Sequence, residues 1–266
     1  MEHFYCISYF EGDVSWVKEI DSPYIIYNKS GVELEGYGNV INIPNVGYNI
    51  SSYLRFIIDY YNDLPESVVF CKNNVFPRHV SREVFNNICL KPGFSPIHDA
   101  SLWQNMSFPV SGICNSGNFL EINNSWYCSK YDRKFFSSYN EFYGFVFGSE
   151  IYPMYLCFSP GANFVVPKEN ILLRSKSFYI NLLTFVEHSQ FSCESHFVER
   201  SLIAIWSSNQ AVGNYMNRAI SDSKFQDLAG KCRDQVARER HIIFKVSSRM
   251  FSFCCSLISR LFFIKR

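Results

Sequence analysis

Three polar clusters are candidates for one binding site, because each follows an apolar run with the composition of a buried strand. The clusters are Glu11/Asp13 after "HFYCISYF", Asn28/Lys29 after "YIIY", and Lys72/Asn73/Asn74 after "SVVFC". In α/β sheets, ligands bind at the carboxyl ends of the parallel strands. We therefore expect the three clusters to line one crevice. The alternative is that they are ordinary loop residues, since loops are polar in most proteins.

A second set of ionisable residues could supply acid–base chemistry. Glu199 in "CESHFVERSLIAIWS" is a candidate general base, and Asp99 in "SPIHDASLW" is the second candidate. Arg200 is a candidate partner for a carboxylate or a phosphate. The alternative for the first segment is a solvated helix start, where the helix dipole favours acidic side chains.

The elements that would position these residues are strands alternating with helices. Short strands are predicted at residues 24–27, in "NVINIP", in "SVVFC" and in "GANFVV". Residues 49–62 have the most regular helical pattern, with one apolar face formed by Ile50, Tyr53, Leu54, Ile57, Ile58 and Tyr61. Gly47 would supply the backbone conformation of the turn before this helix. The alternation predicts an α/β fold with parallel strands.

The second half of the chain is less regular. Residues 92–157 are rich in Asn, Ser, Gly and aromatic residues without a sustained period, which predicts loops and short strands that could determine acceptor specificity. After the strand in "GANFVV", one helix is predicted to carry the apolar residues from Ile171 to Phe185, and a further apolar helix follows Glu194.

Composition excludes several classes of protein. The chain has 266 residues, is 47% hydrophobic and 18% aromatic, and carries a formal net charge of +1. These values exclude intrinsic disorder and predict no nucleic-acid partner. The ten cysteines form no CxxC or zinc-like Cys/His spacing, and the N-terminus has no signal-peptide pattern. We expect reduced thiols in a cytoplasmic protein, and no metal site.

Residues 231–266 differ in character from the rest of the chain. Lysine or arginine occurs at nine positions in this segment, against acidic residues only at 234 and 239. Apolar residues lie on the other side of the predicted helix, at Ile243, Val246, Met250, Phe253, Leu257, Leu261 and Ile264. Basic amphipathic helices of this type lie in the interface of anionic membranes. The alternative is a C-terminal helix that docks on the domain.

Several segments resemble, in order and spacing, a family of uncharacterised bacterial and fungal proteins. They are "ISYFEGDVSWV", "YIIYNKSG", "IPNVGYNISSYLRFIIDYYNDLPESVVFCKNN", "GANFVVPKENI" and "ESHFVERSLIAIW", and the resemblance covers about residues 4–206. That family is similar to GT-A glycosyltransferases and is related to rhamnan-type polysaccharide glycosyltransferases. The resemblance implies a GT-A-like (Rossmann-like) mixed sheet flanked by helices over residues 1–230, followed by the amphipathic tail at 231–266.

The resemblance also implies a donor-binding set, which comprises Ser8, Glu11, Asp13, Asn28, Lys29, Asn45, Gly47, Lys72, Asn73, Asn74 and Arg200. The chain departs from the pattern in lacking an Asp-x-Asp motif, and Lys72 stands at the corresponding place. An ammonium there would neutralise the donor diphosphate without a metal, while Asn73 and Asn74 would bind ribose or sugar hydroxyls. A divalent cation (Mn²⁺ or Mg²⁺) remains an open alternative. Glu199, or Asp99, would deprotonate the acceptor hydroxyl.

The function implied is glycosyl transfer in surface polysaccharide biosynthesis. A sugar would move from a nucleotide-sugar donor to a lipid-linked or polysaccharide acceptor, as in lipopolysaccharide O-antigen or capsule assembly. The protein would be cytoplasmic and peripheral on the inner face of a bacterial cell membrane, held to anionic lipid by its tail. The alternative is a non-catalytic, membrane-associated scaffold of a polysaccharide-assembly complex.

Overall fold

Two β-sheets occur in the computed structural model, which describes residues 3–99, 111–113, 119–123, 131–217 and Val246. The strands are β1 (Phe4–Tyr9), β2 (Tyr24–Asn28), β3 (Val40–Asn42), β4 (Ser67–Lys72), β5 (Ser95–Pro96), β6 (Ser111–Ile113), β7 (Phe119–Ile122), β8 (Tyr155–Phe158) and β9 (Phe164–Pro167). Six strands form the main sheet in the order β3-β2-β1-β4-β9-β5, and the others form a small sheet in the order β6-β7-β8.

Strand β1 lies at the centre of the parallel part of the main sheet. It pairs in parallel with β2 on one side and with β4 on the other, and β3 continues the parallel arrangement beyond β2. Strand β9 runs antiparallel to both β4 and β5. The carboxyl ends of β1, β2, β3, β4 and β5 therefore meet at one edge, which we call the carboxyl edge. The prediction of an α/β fold with a mixed sheet is confirmed.

Helices cover both faces of the main sheet. They are α1 (Ile50–Tyr60), α2 (Arg82–Cys89), α3 (Tyr139–Phe147), α4 (Lys168–Ile171), α5 (Lys176–Val186) and α6 (Cys193–Ser207), with 3-10 helices at Ser15–Glu19, Asn73–Val75 and Asn214–Asn217. Alternate β4 residues point to opposite faces: Val68 and Phe70 pack with α1, α5 and α6, whereas Val69 and Cys71 pack with Phe85 of α2. Burial on both faces explains why "SVVFC" is continuously apolar.

Local signals explain where most helices begin. Ser81, Ser138, Ser175 and Ser192 precede α2, α3, α5 and α6, and each side chain accepts a hydrogen bond from a backbone amide of the first turn. Helix α1 lies within the predicted range 49–62. The side chain of Asn49, the residue that precedes α1, makes no capping hydrogen bond.

Two expectations for the second half of the chain were wrong. Residues 92–157 contain the helix α3 as well as short strands, and residues 168–186 form two helices instead of one. The five buried residues of α3, Tyr139, Phe142, Tyr143, Val146 and Phe147, recur at helical spacing on one face, but this short pattern was missed among the surrounding Asn, Ser, Gly and aromatic residues. Ser175 starts a new helix by capping, which divides the second segment.

The structure shows no disulfide bond among the cysteines of the described ranges. Cys6, Cys71, Cys89 and Cys193 are buried, and Cys157 is partly buried. Burial raises the pKa of Cys89 to about 12, so this thiol stays protonated at neutral pH. These observations agree with the expectation of reduced thiols.

Most of the predicted C-terminal tail lies outside the described residues, as does the predicted boundary at residue 230. Val246 is the one residue of the tail that the structure describes; it is helical and its side chain is 51% exposed. None of the helices in the described ranges combines the length and apolar character that crossing a bilayer requires.

Arg174 stabilises the junction between α6 and the preceding elements. This buried guanidinium donates hydrogen bonds to the carbonyl groups of Ala204, Ile205, Ser208 and Gln210. The last carbonyls of a helix have no partners within the helix, and a cation there also interacts favourably with the helix dipole. Arg174 therefore satisfies the C-terminus of α6.

We expect Arg174→Met to lower the free energy of unfolding by about 3 kcal/mol, because several buried carbonyls lose a charged donor. The matched control is Arg82→Met, which removes an exposed ion pair with Glu19 and should cost less than about 1 kcal/mol. Urea denaturation measures both values. Equal losses for the two variants would contradict the role assigned to Arg174.

Candidate functional site

The carboxyl end of β4 lies at the point where the chain order of the sheet reverses. The chain passes from β1 through β2 to β3 on one side, and β4 lies on the other side of β1. Lys72 ends β4, and its backbone amide donates to the Asn163 side chain at 3.1 Å. In open α/β sheets, the crevice outside such a reversal is the usual ligand site. Lys72 thus occupies the position where a ligand is expected.

The Lys72 side chain is largely withdrawn from solvent. Burial lowers the pKa of its ammonium, Glu199 opposes this effect, and Arg78 adds to it. Within the part of the chain that the structure describes, the ammonium makes no hydrogen bond or ion pair. A partly buried cation in this state gains free energy from an anionic ligand.

Glu199 lies on α6 and faces the same region. Its Oε1 accepts a hydrogen bond from the Gly161 amide at 2.9 Å, and its Oε2 pairs with Arg200 and lies 3.5 Å from His196 Nδ1. Burial alone would raise the pKa of Glu199, but Arg200, His196 and Lys72 together lower it to about 2. The carboxylate is therefore anionic at any physiological pH.

Arg200 extends this charge network to the small sheet. It is 5% exposed, and its Nε donates to Glu121 Oε2 on β7 at 2.7 Å. The guanidinium thus lies between two carboxylates, which compensates the cost of burying it. Glu121 was not identified from the sequence, because the pair spans 79 positions and no local pattern marks it.

His79 lies beside Lys72 in the loop that follows β4. The imidazole is buried, and its pKa is lowered to about 3 by burial first and then by Lys72 and Arg78, so it is neutral at physiological pH. A Cβ atom on Gly161 would lie 2.8 Å from two ring atoms of His79, and Gly161 has φ +80°. Glycine at 161 therefore permits the close approach of its loop to the imidazole.

Lys29 organises the loop that precedes α1. It is 5% exposed, and its ammonium donates to the Val46 carbonyl at 2.7 Å, to the Ser51 hydroxyl at 2.6 Å and to the Tyr48 carbonyl. Gly47 has φ +66° and contacts Ser51 and Val186, as expected for a residue chosen for its backbone. All three ammonium protons are used internally, so the geometry supports a structural role for Lys29 instead of a direct contact with a donor.

Four aromatic rings surround the start of this region. The ring centroid of Tyr48 lies 5.0 Å from that of His196, 5.3 Å from that of Phe191 and 5.9 Å from that of Tyr131. The rings of Tyr131 and His196 are stacked, with their centroids 5.2 Å apart. Phe191 is 47% exposed. We call Tyr48, Tyr131, Phe191 and His196 the aromatic cluster. Its contact between His196 and Glu199 joins it to the charged groups.

Three further residues of the expected donor-binding set have their side chains engaged inside the protein. Asn28 binds Val32 O and Asn42 Oδ1, and Asn73 binds the carbonyls of Glu11 and Asp13. Ser8 Oγ lies 2.9 Å from Ser52 Oγ of α1. These side chains shape the loops and anchor α1. The expectation that Asn28 opens onto the crevice was wrong, because this residue is 1% exposed.

The other residues of that set are more accessible. Glu11 and Asp13 are exposed, and Asn45 and Asn74 are partly exposed. Asp13 accepts two hydrogen bonds from Ser15, and the backbone bond from Ser15 is the main cause of its lowered pKa. The Asn74 Oδ1 atom is buried and has no hydrogen-bond partner among the described residues. A buried acceptor of this kind calls for a donor from a ligand or from water.

Asp99 follows β5, whose carboxyl end lies at the carboxyl edge. Its amide donates to the His79 carbonyl at 2.8 Å, which places its backbone beside the loop that contains His79. The structure thus brings Lys72, His79, Asp99, Arg200 and Glu199 to one region. His79 and Asn163 were not selected from the sequence, because their proximity to Lys72 depends on the packing of distant strands.

The stability of the protein should depend on the protonation of Lys29. Burial lowers the pKa of Lys29 from 10.5 to about 7, so between these values the unfolded chain holds a proton that the folded chain has released. The contribution of Lys29 to the free energy of unfolding should therefore increase as pH rises above about 7. It should be lowest at about pH 7 and below, where both the folded and the unfolded chain hold the proton. Arg55 is the charged group that adds to the lowering.

The measurement is urea denaturation of the wild type and of Lys29→Met from about pH 6 to about pH 9. As pH rises above about 7, the free energy of unfolding of the wild type should increase relative to that of Lys29→Met. Lys91→Met, at an exposed lysine, is the control and should show no such trend. A difference that is constant with pH would contradict the assignment.

Comparison with known proteins assigns the chain to a family without assigning an activity. Searches of curated proteins and of solved structures each returned no match. Within the described ranges, no group of three or more His, Cys, Asp or Glu residues is arranged to hold a metal ion. Residues 7–222 match the family model described as "Protein of unknown function (DUF3431)", which covers more than half of the chain. The chain therefore belongs to the DUF3431 family.

Proposed function

We propose that the protein is a glycosyltransferase that binds the diphosphate of a nucleotide-sugar donor at the carboxyl edge. The observation that carries the proposal is the Lys72 ammonium, which is partly buried at the reversal point of the sheet and has no ionic partner in the described residues. A lysine ammonium is a compact, strongly charged partner for phosphate.

The local charge supports an anionic ligand even though the whole chain is close to neutral. Lys72 and Arg78 lie near the Glu199 carboxylate, whereas Arg200 is shared between Glu199 and Glu121, and the pKa values of Lys72 and His79 are both lowered in part by neighbouring cations. Cations that are not fully compensated attract ligands of the opposite sign. A diphosphate would supply the compensating negative charge.

Two further features fit the remainder of a nucleotide sugar. The buried Asn74 Oδ1 would accept a hydrogen bond from a ribose or sugar hydroxyl. The aromatic cluster, with Phe191 47% exposed, offers ring faces against which a nucleobase or a sugar ring can pack. The acceptor would be a lipid-linked or polysaccharide glycan, and the protein would work at the inner face of the cell membrane.

The candidate bases differ in their surroundings. The pKa of Glu199 is about 2 and its oxygens are held by Gly161, Arg200 and His196, which makes it a weak base with little freedom to move. A general base works best when its pKa lies near the working pH. Asp99, the other candidate at the carboxyl edge, would take the proton of the acceptor hydroxyl, and Glu199 fits the role of positioning the Gly161 loop.

A second candidate function is that of a non-catalytic scaffold in a polysaccharide-assembly complex at the membrane. The observation that favours it is the same engagement of Glu199, which leaves this carboxylate committed to structure. Binding experiments separate the two functions, because a scaffold should bind no nucleoside diphosphate saturably.

We expect Lys72→Ala to weaken binding of the matching nucleoside diphosphate by about 10- to 100-fold, because a charge-assisted hydrogen bond is worth roughly 1.5–3 kcal/mol. Titration calorimetry with UDP, GDP, CDP and dTDP in the presence of EDTA measures this affinity. Lys72→Arg should recover only part of the loss, since the guanidinium presents its donors differently. Lys91→Ala, at an exposed lysine, is the control.

Binding that EDTA abolishes and Mn²⁺ restores would contradict the metal-free role of Lys72. Absence of binding by all four diphosphates would favour the scaffold.

We expect Asp99→Asn to lower the transfer rate by about 100-fold or more while leaving the affinity for the diphosphate unchanged, because it removes only the proton acceptor. Glu199→Gln should instead lower the melting temperature, since it removes a buried charge paired with Arg200. Transfer of label from a nucleotide sugar to extracted membrane glycolipid measures the rate. If Asp99→Asn keeps full activity, the base lies elsewhere.

A further inference from the structure

Residues 151–154 form an exposed apolar loop between α3 and β8, which we call the apolar loop. Ile151 is 84% exposed, Tyr152 41% and Met154 67%. Three large apolar or aromatic side chains within four consecutive residues are more than the isolated exposed residues that surfaces normally carry. Removing such a group of side chains from water is favourable.

The backbone of the apolar loop is held against the protein. Asn123 donates from its amide to the Met154 carbonyl at 2.9 Å and from its side chain to the Pro153 carbonyl at 2.7 Å. The Ser149 hydroxyl accepts from the Ile151 amide and donates to the Ile151 carbonyl. Because these polar groups already have partners, the loop can enter an apolar medium without leaving them unsatisfied.

The last residues of the described range 131–217 pack close to the start of this loop. Gly213 donates from its amide to the Val146 carbonyl at 2.8 Å, and Tyr215 stacks on Phe145 with centroids 5.6 Å apart. Both contacts lie on α3, the helix that leads into the apolar loop. The sequence that follows residue 217 includes the basic amphipathic segment 231–266, and its Val246 side chain is half exposed.

We propose that the apolar loop inserts into the interface of an anionic membrane. This would be a second membrane contact, in addition to the one predicted for segment 231–266. A single weak membrane signal gives marginal, reversible binding, whereas two signals together give stable attachment. Tyrosine is favoured at the boundary between headgroups and acyl chains, where its ring and its hydroxyl are both accommodated. Glu150 is exposed directly before the loop, which confines insertion to the interface. The inference rests on the membrane location included in the proposed function.

A lipid surface fits these observations better than a protein partner does. Backbone groups of Ile151, Pro153 and Met154 in this loop already have hydrogen-bond partners, and segment 231–266, which follows later in the sequence, is basic. Anionic headgroups would bind the basic residues while the acyl region receives the apolar ones. Self-association through the loop is the competing outcome of the test.

The test is sedimentation of the full chain with vesicles of phosphatidylcholine and phosphatidylserine. The double variant Ile151→Ser/Met154→Ser should bind vesicles at least about 10-fold more weakly than the wild type, because two exposed apolar side chains are lost from the lipid contact. The control is Leu90→Ser/Val32→Ser, whose residues are 81% and 65% exposed and which should bind like the wild type. Hydrogen exchange of the wild type should show greater protection at residues 151–154 when vesicles are present than when they are absent.

Two results would overturn the proposal. One is equal vesicle binding by the loop variant and the wild type; the other is a wild-type oligomer that the loop variant converts to a monomer in size-exclusion chromatography. Nucleoside diphosphate affinity, measured on the same loop variant, should be unchanged. A chain that binds vesicles through this loop but binds no nucleotide would sustain the membrane contact while refuting the glycosyltransferase.

Discussion

The arrangement of the site depends on how the partly buried Glu199 carboxylate is compensated. One oxygen binds the Gly161 amide and the other pairs with Arg200, which in turn pairs with Glu121 of the small sheet. A buried ionised group is tolerated only when its hydrogen bonds and charges are matched. This requirement fixes α6 against the loop that precedes β9 and against β7, and it also keeps a negative charge close to Lys72.

The two lysines at the carboxyl edge show how similar burial can lead to different roles. Burial is the main cause of the lowered pKa in both Lys29 and Lys72. Lys29 has three oxygen acceptors that match its three protons, so its binding capacity is used within the fold. Lys72 has only the longer-range field of Glu199. The difference in hydrogen bonding, and not the residue type or the burial, therefore separates the structural lysine from the candidate ligand contact.

The sequence predicted the features that depend on neighbours along the chain. The alternation of strands and helices, the range of α1 and the position of Lys72 at the end of β4 follow from local periodicity and composition. Helix α3 was missed although its five buried residues recur at helical spacing, because the surrounding stretch is rich in Asn, Ser and Gly. The contacts of Glu199 with Gly161, of Arg200 with Glu121 and of Lys29 with the loop before α1 also escaped, since they join segments that approach each other only in the folded chain. In addition, polar strand ends such as Asn28 and Asn73 look alike in the sequence whether they face a ligand or hold a loop.

Backbone conformation supports the same location for the site on independent grounds. The non-glycine residues with positive φ in the described ranges are Tyr48, at 48°, and Ala162, at 55°. They lie in two different loops that meet where the Asn49 side chain donates to the Gly161 carbonyl at 3.0 Å. Left-handed conformations of such residues cost free energy and persist where surrounding contacts hold them, most often at functional sites. Here Lys29 holds the first loop and Glu199 holds the second, so their hydrogen bonds stabilise the strained backbone at Tyr48 and Ala162.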